Sequence, residues 1–177
     1  ERGLEDAADV DILVVSPIPR TRWGRTPQSV IDAVRAAVDR GAWVVSVCSG
    51  SFVLADAGVL DGRRATTHWM YSSEMAARYP AIDIDPDVLY VQDGRIITSA
   101  GTAAGIDACL HLLRQVLGAE LTNTIARRMV VAPQRDGGQA QFISSPLPVS
   151  QSMSLAPVTD WAVAHLDLDI SVDMLAS

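Results

Sequence analysis

Two uninterrupted apolar runs organise the first third of the chain. Ile12-Leu13-Val14-Val15 and Trp43-Val44-Val45-Ser46-Val47 lack the alternation of a half-exposed strand, so they read as strands buried on both faces. Between them, Thr26-Pro27 predicts a helix start, with Thr as the cap and Pro at the first helical position. Val30, Ile31, Val34, Ala37 and Val38 then fall on one stripe, and Gly41 stops the helix. The second run leads through Cys48-Ser49-Gly50-Ser51 into a helix of small and apolar residues ending near Gly58. This strand–helix rhythm implies a mainly parallel sheet with helices on both faces.

Further on, the pattern predicts a helix over 70–79, stopped before Pro80, and strands over 88–91 and 95–98. Asp93-Gly94 between those strands is a hairpin signal. Ile106, Cys109, Leu110, Leu113 and Leu117 mark one face of a long, mostly buried helix, and a second helix follows over 121–131. The stretch 132–154, rich in Pro, Gly, Gln and Ser, reads as loop or linker. Residues 155–166 are again helical in spacing, and Ser171 caps one more helix. The expected organisation is an α/β domain over 1–145, a linker over 146–154 and a helical piece over 155–177.

Composition narrows the function. Hydrophobic residues make up 49% of the 177 and charged residues 20%, ordinary for a globular domain. No apolar run is long enough to span a membrane and no signal peptide is evident, so a cytoplasmic protein is expected, with its natural start upstream of Glu1. The net charge of −7 counts against direct contact with phosphates. Cys48 and Cys109 do not make a disulfide framework, and no Cys/His spacing suits a metal. Neither a metal nor a cofactor is expected.

Cys48 carries the sharpest chemistry. It ends an apolar strand, is followed by three small residues and opens a helix, a turn that lifts a side chain out of the sheet toward a crevice. The helix N-terminus is expected to favour the thiolate. The alternative is a buried, inert thiol. Cys109, within an apolar stripe, reads as core. Ser99-Ala100-Gly101-Thr102-Ala103-Ala104-Gly105 sets small residues and a hydroxyl at another strand-to-helix boundary. It either lines a pocket opposite Cys48 or lets the helix pack closely. His68 is either a base for the thiol or a loop-orienting residue beside a packed Trp69.

The segments Ser46 to Ala55 and Ala57 to Trp69 resemble the centre of the GlxA branch of the ThiJ/PfpI superfamily, relatives of class I glutamine amidotransferases. Asp87-Val88-Leu89-Tyr90-Val91, the Ser99–Asp107 segment, Ala126-Arg127-Arg128-Met129-Val130-Val131 and Arg135-Asp136-Gly137-Gly138-Gln139 continue the likeness. The resemblance implies a flavodoxin-like α/β sandwich, a homodimer, and a pocket at Cys48, with His68 matching the family's Thr-His-Trp segment. Its implied ligand-binding set is Cys48, Ser49, Gly50, His68, Gly101 and Thr102, with Cys48 and His68 as the catalytic candidates. Two departures weigh against hydrolysis. The early strand that supplies an acidic partner to the cysteine is expected upstream of Glu1, and Ser16-Pro17 stands where family enzymes have an oxyanion-forming glycine; proline has no N–H to give.

Residues 155–177 are similar to the opening of an AraC-type DNA-binding domain, truncated before its recognition helix. From Ser150 onward there are Asp160, Asp167, Asp169 and Asp173 and no Arg, so this piece should not grip DNA alone. The expected function is therefore the sensing and dimerisation part of a transcription regulator. It would bind a small effector near Cys48 and promoter DNA only through the rest of the C-terminal domain. The alternative is a cysteine-dependent, isonitrile hydratase-like enzyme.

Overall fold

The computed structural model describes residues 4–135 and 137–139, together with 161, 163 and 165. The chain divides into two units, Glu1–Ile143 and Ser144–Ser177. In the second, the described Trp161 and Val163 are helical and exposed, and the His165 ring stacks on Trp161. The expected linker and the rest of the 155–177 helices lie outside the described residues.

In the first unit a 3-10 turn (Leu4–Asp9) precedes strand β1 (Ile12–Val15), helix α1 (Gln28–Asp39) and strand β2 (Trp43–Val47). A 3-10 turn (Cys48–Gly50) leads into α2 (Ser51–Asp56). Next come β3 (Arg64–Ala65), α3 (Trp69–Arg78), β4 (Asp83–Ile84), β5 (Tyr90–Asp93), β6 (Ile96–Ser99), α4 (Thr102–Leu117) and α5 (Ala119–Met129). The main sheet has the order β1-β2-β6-β5. β1, β2 and β6 run parallel, and only β5 is antiparallel, joined to β6 through Gly94 at φ 62°. The expected mainly parallel α/β architecture is present, hairpin included.

The central strands β2 and β6 are covered on both sides, whereas the expected two-sided burial of Ile12–Val15 needs correction: β1 is an edge strand and leaves Val14 49% exposed. Val44 and Ile96 pack with Val34, Ala37, Phe52 and Leu54, from α1 and α2. Their neighbours Val45 and Ile97 face the other way, onto Ala108 and Leu112 of α4. The α4 face differs from the one its largest residues predict. Small residues decide it: Ala104, Gly105 and Ala108 are buried, whereas Leu117 is 47% exposed. A Cβ on Gly105 would sit 2.8 Å from Val47 Cγ1, so the helix crosses the end of β2 as closely as a glycine permits. Cys109 is partly buried against the same cluster, as a core residue should be.

Two local expectations need correction, and one strand pair went unread. Thr26 does not cap α1: the first helical bonds go to the Pro27 carbonyl, and the Thr26 hydroxyl donates to Asp56 Oδ2 at 2.5 Å. A carboxylate across the fold outcompetes the helix for that side chain. β3 and β4, a parallel pair of two residues each, escape a sequence reading because two residues show no period. The last helix starts at Ala119 and ends at Met129, followed by Val130 at φ 57°, a left-handed conformation that a β-branched residue rarely adopts.

Candidate functional site

Cys48 follows β2 directly and has φ 52°, the other non-glycine residue of positive φ among the described residues. The bend is held from both sides. The Cys48 carbonyl accepts from the Ser51 hydroxyl at 3.0 Å and from the Thr67 hydroxyl at 3.2 Å. Gly50 lies beneath it, where a Cβ would come within 2.5 Å of the Val15 carbonyl oxygen. Ser49 is buried, with its hydroxyl donating to the Ile18 carbonyl at 2.8 Å and accepting the Ile18 N–H at 3.1 Å. Ser49 and Gly50 therefore hold the turn against the segment after β1.

Burial pushes Cys48 above its ordinary 9.0, outweighing the Ser49 N–H and hydroxyl that pull the other way. Behind it α2 is only six residues long, so its dipole is weak. The expectation of a favoured thiolate is corrected on this ground.

A cleft of ≈ 200 Å³ opens between the start of α3 and the start of α4. His68, Gly101 and Thr102 line it together with Leu89, Arg135 and Gln139. Three of the six sequence-predicted ligand residues thus meet here, while Cys48, Ser49 and Gly50 are outside its lining. Cleft and turn share a wall, since the 66–69 segment carries both the Thr67 bond to Cys48 and the His68 ring.

His68 caps α3, its Nδ1 accepting the Met70 N–H at 3.3 Å. In the neutral ring that leaves Nε2 as a donor, and burial lowers the pKa, favouring this neutral form. The ring also lies against Trp69 and Tyr71. As arranged, His68 can present a hydrogen to a ligand but has no free lone pair with which to take a proton.

Two residues that the sequence places in a polar turn are central to the site. Gln139 is 2% exposed. Its Oε1 accepts the Trp69 N–H at 2.7 Å, and its Nε2 donates to the carbonyls of Thr67 and Val88, each at 3.0 Å, and to the Thr66 hydroxyl at 3.2 Å. Arg135 grips the buried Asp107 of α4 through Nε and Nη2, which raises the guanidinium pKa further. The Arg-Asp-Gly-Gly-Gln string signals a turn; only the fold reveals that its last side chain turns inward.

The family model for the DJ-1/PfpI family matches residues 6–115, which include both parallel strand ends, the Cys48 turn and the start of α4. The chain belongs to the DJ-1/PfpI family. Among DJ-1/PfpI relatives, the isonitrile hydratase of Pseudomonas putida is 32% identical over 150 residues, covering 80% of this chain and 64% of that protein. The HTH-type transcriptional regulator CdhR of Pseudomonas aeruginosa is 34% identical over 116 residues, covering 64% of this chain and 34% of the regulator. The chain thus spans under two thirds of the first relative and about a third of the second. Among solved structures, an AraC family transcriptional regulator from Pseudomonas putida superposes with a TM-score of 0.59 at 21% identity, covering 73% of this chain and 68% of that one. That likeness supports the DJ-1/PfpI fold. No helix among the described residues is long and apolar enough to cross a membrane.

Proposed function

We propose that this chain is the sensing part of a cytoplasmic, homodimeric AraC-type transcription regulator. A small effector enters the His68–Gly101–Gln139 cleft beside the Cys48 turn. DNA contacts come from a helix-turn-helix domain that begins in 155–177, after a linker over 146–154, and continues beyond Ser177. The observation that carries this reading is the chemical state of the site. The thiol is raised, the histidine lone pair is spent on a helix cap, and Arg135 and Gln139 are bonded to the protein. Such a site binds; it is not set up to attack. The kinship to HTH-type regulators and the net charge of −7 agree with sensing in one domain and DNA contact in another.

The test is an anisotropy titration of promoter DNA with this chain and with a version carrying the natural C-terminal continuation, at one stated salt concentration. Specific binding should belong to the longer protein alone. Sequence-specific binding by this chain would overturn the division of labour.

One observation favours a second reading, a cysteine-dependent hydratase: Cys48 is held at a positive φ at a strand end, in a chain 32% identical to an isonitrile hydratase. Turnover of an isonitrile by this chain that Cys48→Ala abolishes would establish it in place of the sensor.

A further inference from the structure

A second recess, of ≈ 300 Å³, shares only Arg135 with the His68 cleft. Helix α4 supplies one wall: Asp107, His111 and Arg114 stand at i, i+4 and i+7, on one face of the helix. Tyr90 of β5 and the 133–135 segment complete the lining. Concave sites of this kind, with a few converging polar groups, are where small molecules bind.

The charges in this lining do not cancel. Asp107 is its carboxylate, buried, and both oxygens are held by Arg135 through Nε and Nη2. Arg114 meets only neutral acceptors: Nη1 donates to Gln134 Oε1 at 2.9 Å and Nη2 to the Pro133 carbonyl at 3.0 Å. It forms no ion pair among the described residues. Its Nε–H is buried and has no acceptor among them either. A charged donor kept from water without an acceptor is costly, and native structures seldom leave one so. His111 feels the same excess of positive charge, since burial and then Arg114 lower its pKa. The His111 Nε2 is engaged by Gln92 at 2.6 Å and Gln115 at 2.8 Å, which leaves Nδ1 as the nitrogen a ligand can use. The recess lacks one negative charge and one acceptor, and an oxyanion supplies both.

We propose that this recess binds the carboxylate or phosphate group of a small molecule, with Arg114 as the anchoring cation. It is a site apart from the effector cleft, so it stands or falls independently of the regulator reading. NMR titration of the His111 imidazole in the whole chain tests it, over about pH 5 to 8, with sodium chloride holding the ionic strength constant. Sodium acetate and sodium phosphate are the two probes, and the tighter one names the group. A bound oxyanion offsets the Arg114 charge, so the His111 midpoint should rise by about one unit at saturation. Arg114→Gln should weaken the tighter probe about tenfold or more. Arg127→Gln, the same charge lost from an exposed position on α5, should leave binding unaltered. A wild-type midpoint that neither probe moves beyond the chloride control overturns the site, whether or not the Arg114 variant folds. So does a midpoint already above about 6.5 without them, because a carboxylate of the chain itself would then hold Arg114. Wild-type affinity in Arg114→Gln, or an equal loss in Arg127→Gln, overturns it as well.

Discussion

Replacing Gln139 by Leu deletes four hydrogen bonds from a site that water cannot easily re-enter, since the side chain is 2% exposed. The partners do not suffer equally. The Thr66 hydroxyl keeps the Asp85 carbonyl at 2.6 Å, and the Thr67 carbonyl keeps a long contact of 3.4 Å from Thr66. The Trp69 N–H and the Val88 carbonyl lose the carboxamide outright. At the usual cost of stranding a buried polar group, two such groups are worth about 2–6 kcal/mol. For a chain of this size that lowers Tm by roughly 4–24 °C. Thermal melts followed by far-UV circular dichroism read the shift, and hydrogen exchange at Trp69 localises it. Gln139→Glu separates hydrogen bonding from packing. Its carboxylate still accepts from Trp69 but cannot donate to three oxygens, so its instability should shrink as the pH falls and the carboxyl becomes protonated. A Gln139→Leu protein melting within a degree or two of the parent would refute the reasoning, because the cleft floor would then be solvated rather than pinned.

Other outcomes follow from the same geometry. Burial lowers the pKa of His68 and of His111, so the unfolded chain binds more protons than the folded one; stability should therefore decline as the pH drops below about 6.5, and His68→Asn should flatten part of that slope in urea titrations. Gly50→Ala drives a methyl onto the Val15 carbonyl and should cost about 1–3 kcal/mol by chemical denaturation; an unchanged midpoint would contradict the close approach. Both thiols are raised by burial, but only Cys48 has Ser49 groups opposing the shift. Iodoacetamide mapping should find Cys48 ahead of Cys109, with a rate still climbing past pH 9; a plateau below that pH would restore the activated thiolate.

The parts of this fold legible in the sequence are those whose neighbours are nearby or generic. Trp43–Val47 announces a buried strand because a sheet covered on both sides leaves no polar position, and Asp93-Gly94 announces a hairpin through its own backbone; Ile12–Val15 is a strand too, but at the sheet edge it leaves Val14 49% exposed. The turn at Cys48 is legible for the same local reason: a strand, three small residues, a helix. What escaped depends on partners far along the chain. Thr26 follows the rule for a helix cap, yet Asp56 takes its hydroxyl. Gln139 sits in a polar string, and nothing local says that its amide fills a hole between Thr66, Trp69 and Val88. The site shows both cases. His68, Gly101 and Thr102 do meet in one cleft, but Ser49 and Gly50 hold up the turn from beneath, and the chemistry expected of the thiol yields to its burial.

The bond between Gln139 and Trp69 spans 70 positions of chain, and this sets an order of events during synthesis. The two parallel pairs of the main sheet, the hairpin and the bend at Cys48 require nothing beyond Ser99. A nascent chain can therefore assemble its sheet while the far wall of the cleft is still inside the ribosome. Until Gln139 emerges, the Trp69 N–H faces water and the recess is an open furrow. The side chains that complete the cleft, Arg135 and Gln139, are made well after the sheet, and the cleft closes only when they fold back onto a scaffold already standing.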